Sequence, residues 1–186
     1  MWLVVGLGNP GKKYAGNRHN VGFMAVERFC AERGLSDWRE KFSGVYARNN
    51  DVMALKPMTF MNVCGDSVQP AAAFAKVEPA NIIVLHDELD LPWGDVRLKL
   101  GGGHAGHNGL RSIIGRLGTP EFVRVRIGIG RPPPGFRGEV ADFVLHDFDA
   151  SERAELPDVL SRAVSAVSAV LEKGFAAAQN VVNTRK

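Results

Sequence analysis

The chain of 186 residues has only two cysteines, Cys30 and Cys64, and they show no C-x-x-C spacing. Two such thiols cannot build the disulfide framework of a small secreted domain or a zinc site made of paired cysteines. No apolar run approaches the ~18 residues that a membrane helix needs. The first residues, MWLVVGLGNPG, lack a basic segment, and they predict a strand rather than a signal peptide. We therefore expect a cytoplasmic protein with no membrane contact.

The chain also has little excess of charge. Lysine and arginine outnumber aspartate and glutamate by 23 to 20, and the formal net charge of +3 is too small to demonstrate a nucleic-acid partner. Apolar residues make up 45% of the chain and charged residues 23%, which excludes a disordered protein. No internal repeat and no Ser/Gly-rich linker is present, so residues 1–186 are expected to form one domain.

Strand patterns and helix patterns alternate along the chain. Short apolar or alternating runs predict strands at Trp2–Leu7, twice within residues 43–56, and at Ile82–Leu85, Val96–Leu100 and Phe122–Ile129. Helical spacing predicts helices at Val21–Arg33, Val68–Lys76, Leu110–Leu117 and Ser151–Lys173. This alternation is typical of an α/β layered fold, and the hairpin-like strands predict a mixed sheet.

A glycine motif follows the first predicted strand. Gly6-x-Gly8-x-x-Gly11 matches the spacing of a dinucleotide-binding fingerprint. That fingerprint requires a helix to open within the glycines, which Pro10 opposes. It also requires an acid at the end of a second strand, whereas Glu27 lies in a helical pattern. We therefore disfavour a nucleotide cofactor and keep a nucleotide-dependent enzyme as an alternative.

Several polar residues follow predicted strands or precede predicted helices, where functional side chains are often presented. His19 precedes the first helix, and an imidazole beside a carboxylate can act as a base near neutral pH. Asp87 belongs to the sequence His86–Asp90 (HDELD), which follows a buried strand. These acids could bind a metal, but no spacing elsewhere completes a ligand set. They could equally orient a histidine, as carboxylates do in hydrolytic sites.

The stretch 101–109 (GGGHAGHNG) leads into a predicted helix, and its glycines could bring backbone N–H donors close to phosphate or carbonyl oxygens. No Walker lysine follows this stretch. The sequence also has no G-x-S-x-G elbow and no convincing cysteine nucleophile, so a hydrolase would use water. Two strands carry alternating cations, which form either solvated faces or a basic wall for a polyanion: Arg97, Lys99, Arg124 and Arg126.

Taken in order, the motifs VGLGNPG, RHN, KPMTFMN, HDELDLP, GGGHAGHNGL and RIGIGRP resemble those of the bacterial-type peptidyl-tRNA hydrolase family. This resemblance covers most of the chain. It implies a single-domain α/β/α sandwich around a mixed twisted sheet, monomeric and without metal or cofactor. It also implies hydrolysis of the ester between the peptide and the tRNA, with the acceptor stem and 3′ end of peptidyl-tRNA as the partner.

The resemblance also implies roles for individual residues. His19 takes the position of the general base, and Asp87 takes that of the carboxylate that holds it. The site asparagines of the family match Asn9, which we group with the catalytic residues, and Asn62 and Asn108. Residues that bind the tRNA end match Tyr14 and Phe60, and a clamp for a tRNA phosphate matches Lys99 and Arg126. Purely structural roles also stay open for two of these residues: Asn9 could only shape its turn, and Asn108 could only cap the following helix.

One further alternative comes from a different functional class. A non-catalytic RNA-binding protein could be built on the same fold, as in relatives that serve organelle RNA splicing. The presence of His19, Asp87 and the three asparagines argues against it. Turnover of N-blocked aminoacyl-tRNA would distinguish this alternative from an enzyme.

Overall fold

The computed structural model describes residues 1–184, and these residues share one seven-stranded sheet with the order β2-β3-β4-β1-β5-β7-β6. The strands are β1 Trp2–Gly6, β2 Arg39–Lys41, β3 Gly44–Arg48, β4 Val52–Pro57, β5 Ile82–Glu88, β6 Val96–Leu100 and β7 Val123–Gly128. Strands β4, β1, β5 and β7 run parallel, whereas β2, β3 and β6 join as antiparallel neighbours. The sheet is therefore mixed, as expected.

Helices cover both faces of this sheet. They are α1 Val21–Arg33, α2 Gly65–Ala75, α3 Asn108–Leu117, α4 Val140–Val144, α5 Ala150–Lys173 and α6 Phe175–Asn183. Side chains alternate along β1, so that Val4 packs in the core with α1 and α5, while Leu3 and Val5 pack in the core with α2 and α3. A strand buried on both faces needs a continuous apolar run, and β1 has one. The α/β/α sandwich is thus confirmed.

Several predicted boundaries agree with the structure, and several elements were not anticipated. Helix α1 has the predicted bounds and ends at Gly34, whose left-handed φ of 70° suits glycine. Strand β5 is longer than predicted and ends at Glu88, so the first part of the HDELD sequence lies within the strand. Strand β2 and helices α4 and α6 were not predicted, because three exposed polar residues, a five-residue helix and a helix directly after Gly174 give weak signals in the sequence.

Helix α6 closes one edge of the sheet. The side chain of Asn183 accepts a hydrogen bond from the backbone N–H of Leu98 at 2.8 Å and donates to its carbonyl at 3.0 Å. These bonds satisfy backbone groups of β6, which would otherwise be an open edge strand. Within residues 1–184, no helix combines the length and the apolar character that crossing a membrane requires.

The parallel strands also place the site. Strands β1, β4 and β5 lie side by side and point the same way, so their carboxyl ends meet at one edge of the sheet. Ligands of open α/β sheets bind at this edge. The segments that follow β1 and β4 carry Asn9 and Phe60, and Asp87 lies at the carboxyl end of β5 itself. A 3-10 turn at Arg18–Asn20 brings His19 to the same place.

Candidate active site

A buried carboxylate between two histidines forms the centre of the site. The Nδ1 atom of His19 lies 2.8 Å from Oδ2 of Asp87, and Nε2 of His107 lies 2.8 Å from Oδ1 of the same carboxylate. The side chain of Asp87 is 3% exposed, and those of His19 and His107 are 12% and 11% exposed. Both carboxylate oxygens are therefore occupied, and Asp87 has a single orientation.

His107 was missed as a site residue, although the glycine-rich stretch that contains it was singled out. It precedes α3 as the N-cap, and its Nδ1 accepts hydrogen bonds from the backbone N–H groups of Gly109 and Leu110 at 3.1 and 3.2 Å. Histidine is an uncommon capping residue, so the usual cap signal did not reveal it. Because Nδ1 accepts, the ring proton lies on Nε2 and is donated to Asp87.

The same observation corrects one interpretation of Asn108. This residue is the first of α3 and lies after the cap, so the suggestion that it only caps the helix is wrong. Its side chain is exposed, and its Oδ1 accepts a long hydrogen bond of 3.4 Å from Arg111. The amide of Asn108 is thus free to meet a substrate.

The contacts between these side chains shift the pKa values of Asp87 and His19. Burial by itself would raise the pKa of the Asp87 carboxyl, but His19 and His107 outweigh burial and hold that pKa far below its usual range. Burial by itself would lower the pKa of His19, but the Asp87 carboxylate outweighs it, and the net pKa is raised above the ordinary imidazole value. Asp87 is therefore an anion at neutral pH, and Nδ1 of His19 carries the proton that it accepts.

A cleft of about 540 Å³ opens above these groups. The predicted site residues that line it are Asn9, His19, Phe60, Asn62, Asp87 and Asn108. Among the described residues, Nε2 of His19 has no hydrogen-bond partner, and the ring borders the cleft. This nitrogen is available to a water molecule in the cleft. The structure therefore brings the proposed base, its carboxylate and three amides into one cavity.

The side chain of Asn9 has a defined orientation. Its Oδ1 accepts from the backbone N–H of Met61 at 2.7 Å, while its own backbone N–H and carbonyl bond the side chain of Asn20 at 2.9 Å each. With Oδ1 occupied, the Nδ2 donor is the end left for the cleft. Asn9 therefore links the loops after β1 and β4 and also offers a donor, so the turn interpretation and the functional interpretation are compatible.

Three of the predicted residues, Tyr14, Lys99 and Arg126, do not line this cavity. The rings of Tyr14 and Phe60 meet edge to face with centroids 6.5 Å apart, and Phe60 is 60% exposed, so together they form an aromatic rim. Arg126 contacts a residue of the cleft lining, because its Nε donates at 2.9 Å to Glu88. Lys99 lies farther out, on the antiparallel neighbour of the strand that carries Arg126.

Four cations form a basic strip on one face of β6 and β7: Arg97, Lys99, Arg124 and Arg126. Arg97 pairs in register with Arg126, and Lys99 pairs with Arg124. Arg124 is 4% exposed and donates to the carbonyl of Gly103 at 3.0 Å, and burial followed by the charge of Arg126 lowers its pKa. Like charges opposite each other on neighbouring strands are destabilising, and Glu88 and Asp95 offset part of this repulsion by pairing with Arg126 and Arg97.

The cluster of His19, Asp87 and His107 has the residue types of a metal site. The hydrogen bonds of His107 do not suit that use. A metal on Nε2 would require the ring proton on Nδ1, which already faces two backbone N–H donors. The three side chains therefore suit the two hydrogen bonds to Asp87 better than they suit a bound metal ion.

Two other sequence features have structural explanations. A Cβ on Gly6 would lie 2.3 Å from the carbonyl of Gly22, so this glycine of the G-x-G-x-x-G motif permits close packing of α1 on β1. No helix opens within that motif. Burial raises the pKa of the Cys30 and Cys64 thiols to about 12, so neither is a ready nucleophile.

Comparisons with known proteins agree with the fold. The family model described as peptidyl-tRNA hydrolase matches residues 3–186. A peptidyl-tRNA hydrolase of Sorangium cellulosum is 65% identical over 189 residues, covering 100% of this chain and 85% of that protein. One of Mycobacterium bovis is 47% identical over 186 residues, covering 97% and 96%. The crystal structure of peptidyl-tRNA hydrolase from Acinetobacter baumannii superposes with a TM-score of 0.91 at 41% identity, covering 100% and 96%.

Proposed function

Because the chain belongs to the peptidyl-tRNA hydrolase family, we infer that it is an ester hydrolase that cleaves peptidyl-tRNA and releases free peptide and tRNA. Membership is shown by the match across residues 3–186 and by relatives of similar length. One observation supports the chemistry most strongly: His19 is held by Asp87 at 2.8 Å on the wall of a cleft.

We propose that His19 activates water. Its Nδ1–H is donated to Asp87, so Nε2 can take a proton from a water molecule as the water oxygen attacks the ester carbonyl carbon. When the tetrahedral intermediate collapses, the bond to the 3′ oxygen of the ribose breaks. The same imidazole then returns the proton to that oxygen. Asp87 maintains the tautomer and stabilises the imidazolium, as carboxylates do in hydrolytic triads.

The asparagines supply neutral donors for the developing charge. The Nδ2 group of Asn9 faces the cleft because its Oδ1 is held by Met61, so it can donate to the oxyanion or to a peptide carbonyl. Asn62 and Asn108 are exposed residues of the cleft lining and can bind the peptide backbone in the same way. Such contacts do not depend on the side chains of the peptide, which suits a substrate of varied sequence.

The aromatic rim and the basic strip provide the RNA contacts in this proposal. Unpaired bases of an RNA 3′ end stack on aromatic side chains, and Tyr14 and Phe60 form such a surface beside the cleft. Lys99 and Arg126 then bind a phosphate of the acceptor stem. Arg126 contributes its Nη groups, since its Nε is bound to Glu88.

We further propose that residues 1–186 act as one domain, as a monomer, in the cytoplasm where translation produces peptidyl-tRNA. The single sheet of the described residues supports the first point. Sedimentation equilibrium at micromolar concentration tests the second. A mass of twice 20.2 kDa would contradict it.

Turnover of N-acetylaminoacyl-tRNA tests the proposed function against the two alternatives. An RNA-binding protein without catalysis would bind this substrate and leave it intact. A nucleotide-dependent enzyme would bind a nucleotide, which a thermal-shift screen detects. The proposal expects hydrolysis of the blocked ester without any added nucleotide.

A further inference from the structure

Arg18, the neighbour of His19, is a buried cation that the proposed mechanism does not use. Its Nη2 donates to Oε1 of Glu152 at 2.8 Å, and the two side chains are 8% and 12% exposed. Its Nη1 lies 3.4 Å from the carbonyl of Phe143, and the guanidinium carbon lies 4.2 Å from the centre of the Phe143 ring. One side chain thus contacts both α4 and the first turn of α5.

The backbone around Arg18 is attached to the same segment. Its N–H donates to the carbonyl of His146 at 3.0 Å. The neighbouring Asn17 pairs with Asp147 in an isolated β-bridge and donates from Nδ2 to Oδ1 of Asp147 at 2.7 Å. The turn that carries His19 is therefore fastened to residues 143–152 by both side chains and backbone.

That segment also forms a wall of the cleft. Val140 and Val144 of α4 and the following Leu145 line the cavity that contains His19. Helix α4 has only five residues, so it depends on its contacts for a fixed position. Arg18 directly precedes His19, and its side chain joins the turn of His19 to this wall.

The energetics of the ion pair suggest a role in position rather than in stability. Removing two charges from water costs free energy that their attraction repays only with complete hydrogen bonding. Here Nε of Arg18 is buried and has no partner among the described residues. An apolar side chain against Phe143 and Phe148 would avoid this cost, whereas only a charged pair also specifies the angle of approach.

We propose that Arg18 is a positioning residue for His19: by binding Glu152 and Phe143, it holds the turn of the general base in a fixed relation to the α4 wall. This inference rests on the proposed role of His19. The hydrogen bond from His19 to Asp87 then depends on a contact on the far side of the turn. A misplacement of about 1 Å can cost about 10²-fold in rate.

The test compares Arg18→Met and Glu152→Gln with the control Arg153→Met. Arg153 donates to the carbonyl of Phe148 at 2.9 Å, so it braces the same segment from α5 without touching the turn of His19. We expect kcat on N-acetylaminoacyl-tRNA to fall about 10–100-fold in the first two variants, with KM within about threefold of the unmutated protein. The control should keep both constants.

The pH profile of kcat separates position from charge. Removing the Arg18 cation would by charge alone raise the pKa of His19, and removing the Glu152 anion would lower it. A loosened His19–Asp87 contact instead moves the acidic limb of the profile to lower pH in both variants. Limbs that move in opposite directions, or do not move, would overturn the proposal.

A loss of folding cannot produce the expected result, because it lowers the active fraction without moving the limb. If Arg18→Met does not fold, Glu152→Gln carries the test, since glutamine keeps the Oε1 acceptor for the Asp149 N–H and removes the charge that attracts Arg18. A folded His19→Ala protein with normal turnover would instead refute the proposed role of His19, and an unmutated protein that leaves N-acetylaminoacyl-tRNA intact would refute the proposed function. The two failures are therefore distinguishable.

Discussion

His107 donates from Nε2 to Oδ1 of Asp87 across 2.8 Å, while its Nδ1 accepts from the backbone at the start of α3. One imidazole thereby joins the helix that carries Asn108 to the carboxylate that holds His19. The ring can make both sets of bonds only as the neutral tautomer with its proton on Nε2. The carboxylate is oriented from one side so that its other oxygen faces His19.

Replacing His107 by alanine should therefore cost stability as well as activity. The variant loses a helix cap and leaves one buried oxygen of Asp87 without its partner, a cost of about 1–3 kcal/mol in the free energy of unfolding. Urea unfolding measures it. Asn108→Ala is the matched control, because this neighbour lies after the cap, and we expect it to change the stability by less than about 0.5 kcal/mol. Equal losses in the two variants would mean that His107 is not the cap.

Asp87→Asn should move the acidic limb of the pH–rate profile. The base works unprotonated, and Asp87 raises the pKa of His19, so activity in the unmutated protein rises through a pKa above the ordinary imidazole value. Without the carboxylate, burial is left as the main influence and lowers that pKa. We expect the limb of kcat/KM to shift to lower pH and the plateau to fall, by less than in His19→Ala, without unfolding of the chain. A limb that stays in place would show that His19 does not titrate in the reaction.

Replacing Lys99 or Arg126 by alanine should weaken tRNA binding and leave minimal ester substrates almost unaffected. Each lost phosphate contact reduces the slope of log K against log salt concentration by roughly 0.7–0.9. The control is Arg116→Ala, an exposed arginine that pairs with Asp66 at 2.6 Å outside the basic strip. The slope should not change in this control. An unchanged slope in the Lys99 and Arg126 variants as well would place the RNA surface elsewhere.

Asn9→Asp and Asn108→Asp test how the site distinguishes peptidyl-tRNA from free aminoacyl-tRNA. The first carries a neutral amide at the α-nitrogen, and the second carries an amine that is wholly or partly cationic. In Asn9→Asp, one oxygen keeps the bond from Met61, and the second replaces Nδ2 in the cleft, where it attracts an ammonium group. We expect a lower ratio of kcat/KM for N-acetylated over free aminoacyl-tRNA. A constant ratio in both folded variants would assign the discrimination to other groups.

The regular elements could be predicted because their signals are local. Helix α1 has a glycine at its end, and α5 has the capping box of Asp149 and Glu152, so their bounds follow from neighbouring residues. Helix α4 also has a local capping box, formed by Glu139 and Asp142, but its five residues are too few to show an apolar period. Its five residues are held by contacts with the turn of His19, from which they are separated by more than 100 positions in the chain, and no local pattern records such contacts.

The site, too, depends on contacts between distant residues that no local pattern records. His19 and Asp87 were placed by resemblance, and their contact at 2.8 Å joins residues 68 positions apart. His107 carries no distinctive pattern of its own, because its role depends on where β5 and α3 meet in the fold. The hydrogen bond from the backbone N–H of Met61 to Oδ1 of Asn9, which decides which end of the amide faces the cleft, also arises only when the loops after β1 and β4 meet.

The most direct test of the account is the turnover of N-acetylaminoacyl-tRNA by His19→Ala. A positioned general base contributes about 10²–10⁴ to the rate, so kcat should fall by that factor. The protein should stay folded with a lower melting temperature, because the buried Oδ2 of Asp87 loses its partner but no helix cap is lost. Turnover at the unmutated rate by the folded variant would contradict the claim that His19 activates the water.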